Sequence, residues 1–436
     1  MSATGAALLA GAFVAYAFLA ARLERVWISA PIVFVAVGLV LGPSVSGLVF
    51  TNAQNEPVLV LTELTLAVLL FADASTVKLR EVRDDARLPE RLLGFGLPLT
   101  IALGAVVAAP LLGVPWAQAA LIGTILAPTD AALGLAVVTD RAVPARIRRA
   151  LNVESGLNDG IATPIVTLLL TIVATEEGVE AGSWVADASK ELGLAVLAAI
   201  VVGGVGGRAF AAARARGWTS HVSDDLAVLS LALLAYLGSV AIGGNGFVAA
   251  FFGGLIFGAA SASGSRSVDG EDPREPIEFT ETVGMFASFF VWAVFGAVFV
   301  GPVLTEGPAV NAAIYAVLSL TIMRMLPVAI ALVRAGLRPD TVAFVGWFGP
   351  RGLASVVFSL LALEELQATP TAETLLEVAT LTILASVVLH GLSAKPLAAG
   401  YGARVRADPD AVELAQVREP RVRRRTLTEA GGPPGT

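Results

Sequence analysis

The sequence predicts an all-α polytopic membrane protein of about thirteen transmembrane helices, arranged as inverted repeats with the fifth and twelfth spans broken and crossing. Composition is the first ground. Of 436 residues, 56% are hydrophobic and 15% charged, where a soluble domain is about a quarter charged, and the mean hydropathy is +0.78. Length is the second, because the apolar residues fall in repeated runs of roughly 17–25, enough to cross a bilayer core. The third is where the basic residues fall. With the N-terminus outside, 26 of the 29 Lys and Arg lie in inner loops or the tail, Lys190 alone lies outside, and Arg324 and Arg351 are left within spans. That split follows the positive-inside rule and sets the C-terminus in the cytoplasm.

The spans, each bounded by turn residues or charges, are expected near 4–21, 29–48, 57–75, 92–112, 116–138, 149–174, 184–206, 224–242, 245–261, 279–303, 309–333, 341–363 and 374–397. The first has no basic region ahead of its apolar stretch (MSATGAALLAGAFVAYAFLA), so it reads as an uncleaved span rather than a leader. The third carries Glu63 and ends near Asp73. The fifth, ALIGTILAPTDAALGLAVV, has Pro128 just ahead of Thr129 and Asp130. Proline removes a backbone donor and clashes with the preceding turn, so the helix is expected to break there. The sixth begins with Glu154, Ser155, Asn158 and Asp159. Glu154 and Asn158 share one helix face, and Ser155 and Asp159 the adjoining one. The twelfth repeats the interruption with Gly349, Pro350, Arg351 and Gly352. Residues 1–400 form one membrane domain with no room for a compact soluble one. The tail 401–436, with Pro, Gly and charges, is expected to be short, cytoplasmic and disordered.

Seven charges stay at membrane depth: Glu63, Asp73, Asp130, Glu154, Asp159, Arg324 and Arg351. Each costs about 2.5–3.5 kcal/mol at a helix centre unless paired or hydrated. Five acids against two arginines leave at least two carboxylates wanting a mobile cation or a proton. A static ion-pair network is the blander reading, and the excess of acid argues against it. Two interrupted spans in opposite halves, each beside a charge, are the sign of an inverted-repeat transporter with its substrate between the breaks. Ser155 and Asp159 are expected to face Thr129 and Asp130, gathering hard oxygen ligands suited to alkali cations. Glu154 is then left to pair with a membrane arginine.

The motifs APTD (127–130), ESGLNDG (154–160), LTIMRMLPV around Arg324 and GPRGLAS (349–355) together resemble the monovalent cation:proton antiporters of the NhaP type, relatives of the eukaryotic sodium/proton exchangers. The resemblance covers nearly the whole membrane part. It implies a homodimer, each protomer having a core domain near 92–174 and 309–397 and a dimerisation domain near 4–75 and 184–303. It implies cation and proton binding by Asp159 and Asp130, with Thr129 and Ser155 as further ligands, Asp73 completing the site and Asn158 marking the electroneutral branch. Glu154 would pair with Arg324, and Arg351 would support the crossover. Na+, Li+ or K+ would then exchange for H+ one for one by elevator-type alternating access, cation and proton competing for Asp159. Ala131 departs from the pattern, since relatives commonly have proline after the aspartate; Pro128 already supplies a break.

Other classes fit less well. A cation channel or uniporter has no use for paired breaks, and no repeated pore loop is present. An intramembrane hydrolase lacks its parts: GPSVSG (42–47) is one residue too long for G-x-S-x-G, and only His390 is available at depth. His390 reads as a packed or hydrogen-bonded histidine, Glu63 as a structural or outer-side carboxylate, and RVRRR (421–425) as a solvated or headgroup-touching tail. With no cysteine and two histidines, thiol chemistry is excluded and a transition-metal site is not expected. No cofactor and no nucleic acid are expected; the partners are the cation, the proton and the bilayer. The expected setting is a prokaryotic inner membrane.

Overall fold

Long apolar runs become long helices. The computed structural model describes residues 3–49, 56–77, 87–130, 133–178, 184–262, 275–367, 369–408 and 410–414, and every regular element among them is helical. Ala3–Arg25 (α1), Ala30–Leu41 (α2) and Glu56–Thr76 (α3) come first. Arg87–Leu112 (α4) follows, then the short Trp116–Ile125 (α5) and the single turn Leu135–Val138 (α6). Next are Ala145–Glu176 (α7), Val185–Ala215 (α8), His221–Ala241 (α9), Gly246–Ala262 (α10) and Pro276–Glu306 (α11). Val310–Ala331 (α12), the pair Pro339–Trp347 (α13) and Leu353–Leu366 (α14), and Pro370–Arg406 (α15) complete the order. Among the described residues nine helices are long and apolar enough to cross a membrane, and α2, α5 and α10 are shorter apolar helices.

The fifth expected span is helical only to Ile125 and resumes for one turn at Leu135; the twelfth stops at Trp347 and restarts at Leu353. A third interruption falls in the span near 309–333, which the sequence predicts to be continuous. Within α12 the helix breaks at Thr321 (φ −113°, ψ −94°), separating Val310–Leu320 from Ile322–Ala331. The carbonyl of Ser319, which an unbroken helix would give to the amide of Met323, instead accepts the Arg351 guanidinium (3.1 Å). Around these breaks α5 packs on α4, α7, α14 and α15, and α12 on α4, α13 and α15. On the other side α3, α9 and α10 pack on one another, with α11 on α2 and α3 and α8 on α10. Helix α7 touches both groups.

Of the stretch 401–436 expected to be disordered, the described part is ordered. Helix α15 runs to Arg406, and Val412–Leu414 form a 3-10 turn that docks back on the bundle. Glu413, only 1% exposed, accepts the Arg338 backbone N–H (2.9 Å) and the Thr341 hydroxyl (2.7 Å) at the start of α13. Arg338 binds Asp408 and Asp340 (2.7 and 3.0 Å), and Arg406 donates to the Ala142 carbonyl (3.1 Å). Composition hides this, because the docked groups are charged and the docking is by hydrogen bonds. Residues 415–436 with RVRRR, most of the acidic loop SVDGEDPREPIEF, the basic residues 78–83 and Ala131 lie outside the described residues.

Candidate functional site

A broken helix in hydrocarbon frees backbone groups that water cannot reach, so each needs a partner from the protein. Here the two breaks supply one another. The Asp130 N–H donates to the Pro350 carbonyl (2.8 Å). The Leu353 N–H, first of α14, donates to Asp130 Oδ2 (3.0 Å), placing a carboxylate at a helix N-terminus where the dipole favours it. Ser355 Oγ donates to the Ile125 carbonyl (2.7 Å) and Arg351 Nη1 to the Ala127 carbonyl (3.0 Å). Arg351 is fully buried; reaching Ala127 and Ser319, it holds the first break and the end of the first half of α12 together.

Helix α7 lies against this junction and presents the polar start that the sequence made conspicuous. Asn158 Nδ2 donates to Thr129 Oγ1 (2.7 Å), and Ser155 Oγ lies 3.2 Å from the same hydroxyl. Asn158, 2% exposed, has no hydrogen-bond partner for Oδ1 among the described residues. One turn along the neighbouring face is Asp159, on which the like charges of Asp130 and Asp73 act. On the Glu154 side, Arg324 makes a two-pronged pair, Nη1 to Oε1 at 2.6 Å and Nη2 to Oε2 at 2.9 Å, with both residues 2% exposed.

Two glycines are required for space. A Cβ at Gly352 would overlap the Asp130 side chain, and one at Gly349 would overlap the Arg324 guanidinium. Gly352→Ala is expected to lower unfolding stability by about 1–3 kcal/mol, as overpacking does. Gly156→Ala on α7, where a Cβ meets nothing within 4 Å, is the control and is expected to be neutral or slightly stabilising. Thermal unfolding of the purified variants checks both.

A family model described as sodium/hydrogen exchanger, transmembrane, matches residues 9–400. The chain belongs to the sodium/hydrogen exchanger family. Within that family it is 24% identical over 386 residues to a K(+)/H(+) antiporter NhaP2 of Shewanella baltica, the match covering 85% of this chain and 62% of the relative. It is 28% identical over 239 residues to a Na(+)/H(+) antiporter NhaS2 of Synechocystis sp., covering 53% and 41%. This exchanger-family chain therefore spans less than two thirds of these curated relatives. The sodium proton antiporter MjNhaP1 from Methanocaldococcus jannaschii at pH 8 superposes with a TM-score of 0.72 at 19% identity, covering 91% of this chain and 98% of that one. That likeness is one of fold.

The residues singled out in the sequence divide plainly in this exchanger-family fold. Thr129, Ser155 and Asn158 meet through hydrogen bonds, and Asp159 lies within the electrostatic reach of Asp130 and Asp73. Glu154 and Arg324 pair, and Arg351 binds carbonyls. Glu63 is elsewhere, accepting a hydrogen bond from Tyr236 Oη (2.8 Å). Sequence reasoning missed Ser355 and Ser386, which take up break groups. Ser355 closes the GPRGLAS motif but was given no role there, and the only signal of Ser386 is that it is a hydroxyl in an otherwise apolar span.

Proposed function

We propose that the chain is a secondary antiporter exchanging a monovalent cation for H+, with cation and proton competing for Asp159. One observation carries the reading. Arg324 is engaged by Glu154 and Arg351 by two carbonyls, so neither membrane arginine balances Asp159, on which the like charges of Asp130 at the first break and Asp73 on α3 also act. Such a group crosses a low-dielectric barrier only when a cation or a proton neutralises it. Asp159, Asp130 and Asp73 with the hydroxyls of Thr129 and Ser155 are the hard oxygens for an alkali cation. Asn158 contributes hydrogen bonding but no second proton, which makes the exchange one for one and electroneutral.

The helices near 92–174 and 309–397 act as the moving core, those near 4–75 and 184–303 as the dimerising scaffold, and α7 lies at their boundary. The breaks cross within the core, and the core carries the site across the membrane as an elevator. The protein is a homodimer of thirteen spans in the inner membrane, N-terminus outside and C-terminus in the cytoplasm.

The test uses purified protein in acid-inside proteoliposomes holding a fluorescent pH probe, with Na+, Li+ or K+ added outside. Proton efflux on cation addition is expected, at a rate indifferent to an imposed membrane potential, and it ranks the three ions. Cation entry without proton movement would make the protein a channel or uniporter and overturn the reading.

A further inference from the structure

The last long helix carries a set of polar groups that the exchange scheme does not use. On α15, Ser386, His390 and Ser393 recur at a spacing of four and three and so share one face, which lies on the break between α13 and α14. The Arg351 backbone N–H donates to Ser386 Oγ (2.7 Å). Ser386 Oγ is 3.1 Å from His390 Nδ1, and His390 Nε2 is 2.9 Å from the Trp347 carbonyl. Trp347 Nε1 donates to Ser393 Oγ (3.0 Å). Ser386, His390 and Arg351 are all 1% exposed or less.

Proton accounting gives this ring a direction. The Trp347 carbonyl only accepts, so His390 Nε2 carries a hydrogen. An imidazolium would add a third buried cation beside two guanidinium groups and one pairing carboxylate, Glu154, a costly arrangement in a dry interior. The ring is therefore neutral and Nδ1 is a lone pair. It cannot bond the Ser386 carbonyl 3.0 Å away, so it accepts the Ser386 hydroxyl, whose oxygen accepts the Arg351 amide. The loop runs Arg351 N–H to Ser386, Ser386 O–H to Nδ1, and Nε2–H to the Trp347 carbonyl. It clips both ends of the unwound segment.

We propose that His390 is a positioning residue for the exchange site: a neutral Nε2–H imidazole that, with Ser386, holds Trp347 and Arg351 in place and through them the Arg351 and Leu353 contacts to Ala127 and Asp130. The functional half of this inference rests on the antiport reading; the hydrogen-bonded ring does not.

Ring 15N NMR of histidine-labelled protein in bilayers tests the ring directly. The chain has two histidines, and His221→Gln, at an exposed helix start, leaves His390 alone in the spectrum. A protonated Nε2 and an unprotonated, hydrogen-bonded Nδ1 are expected from about pH 6 to pH 8, the range where free imidazole titrates. The opposite tautomer, or an imidazolium, overturns the assignment. Ser386→Ala, a small change, should move the Nδ1 signal toward that of a bare lone pair; an unmoved signal also overturns it. In proteoliposomes, His390→Leu is expected to weaken apparent cation affinity about tenfold, and His390→Gln, which can still donate and accept, to restore it. Equal behaviour of wild type and His390→Leu sinks the positioning role. A wild type that moves no protons sinks the antiport reading instead and leaves the NMR result standing.

Discussion

Asp159→Asn protein is expected to fold, to unfold at close to the wild-type temperature, and to lose cation-driven proton movement. The amide is nearly isosteric and keeps a hydrogen-bonding oxygen, and the helix around it is held by other contacts: Asn158 on Thr129, Glu154 on Arg324. What goes is the negative charge and the place for a proton. A unit charge 4 Å from a cation at an effective dielectric constant of about 20 is worth about 4 kcal/mol, on the order of a thousandfold in affinity. Relief from the like charges of Asp130 and Asp73 offsets any lost contacts in the empty state. Proteoliposome transport and thermal unfolding on one preparation separate the two effects. A variant that transports at a tenth of the wild-type rate or better rules Asp159 out as the shared site, and a grossly unstable one makes it structural.

Glu154→Ala should do the reverse. Its partner Arg324 is 2% exposed and packs against Gly349, so removing the carboxylate strands a guanidinium in a dry interior. Breaking one side of a buried pair costs about 3–5 kcal/mol, whereas removing both charges at constant volume is often neutral or better. Glu154→Ala is therefore expected to lower the unfolding midpoint steeply, and Glu154→Met with Arg324→Met to recover most of the loss. Chemical unfolding of the two single methionine variants and the double variant forms a cycle whose coupling energy checks this. A coupling near zero would mean that the pair is incidental.

The sequence was most legible where chemistry is incompatible with lipid. Pro128 and Pro350 announced both breaks because each stands beside a charge: proline alone only weakens a helix, and α7 and α15 run through Pro164 and Pro396, but hydrocarbon tolerates a charge only for a reason. The Glu154–Arg324 pair followed from the resemblance and the scarcity of buried bases. Less was legible where a group's partner is remote in the chain. Nothing in LTIMRM marks Thr321 as a break; the nearest proline is Pro327, and the competitor for the Ser319 carbonyl is Arg351, thirty-two positions on. Asp130 looked like a ligand alone, yet it also caps α14 through Leu353. Glu413 lay in a stretch whose charge reads as solvated, and it is buried against Thr341.

The mutual satisfaction of the two breaks bears on how the chain is made. The partners of Ile125, Ala127 and Asp130 lie 220 to 230 positions downstream, at Pro350, Arg351, Leu353 and Ser355. At a synthesis rate of about 5–20 residues per second, roughly ten to forty-five seconds pass before those partners exist. For that interval the first break cannot rest in lipid with its carbonyls bare. The nascent protein has to be held by the insertion machinery or at the water interface, and ribosome-stalled chains ending before residue 350 should be far more open to protease than those ending after 400.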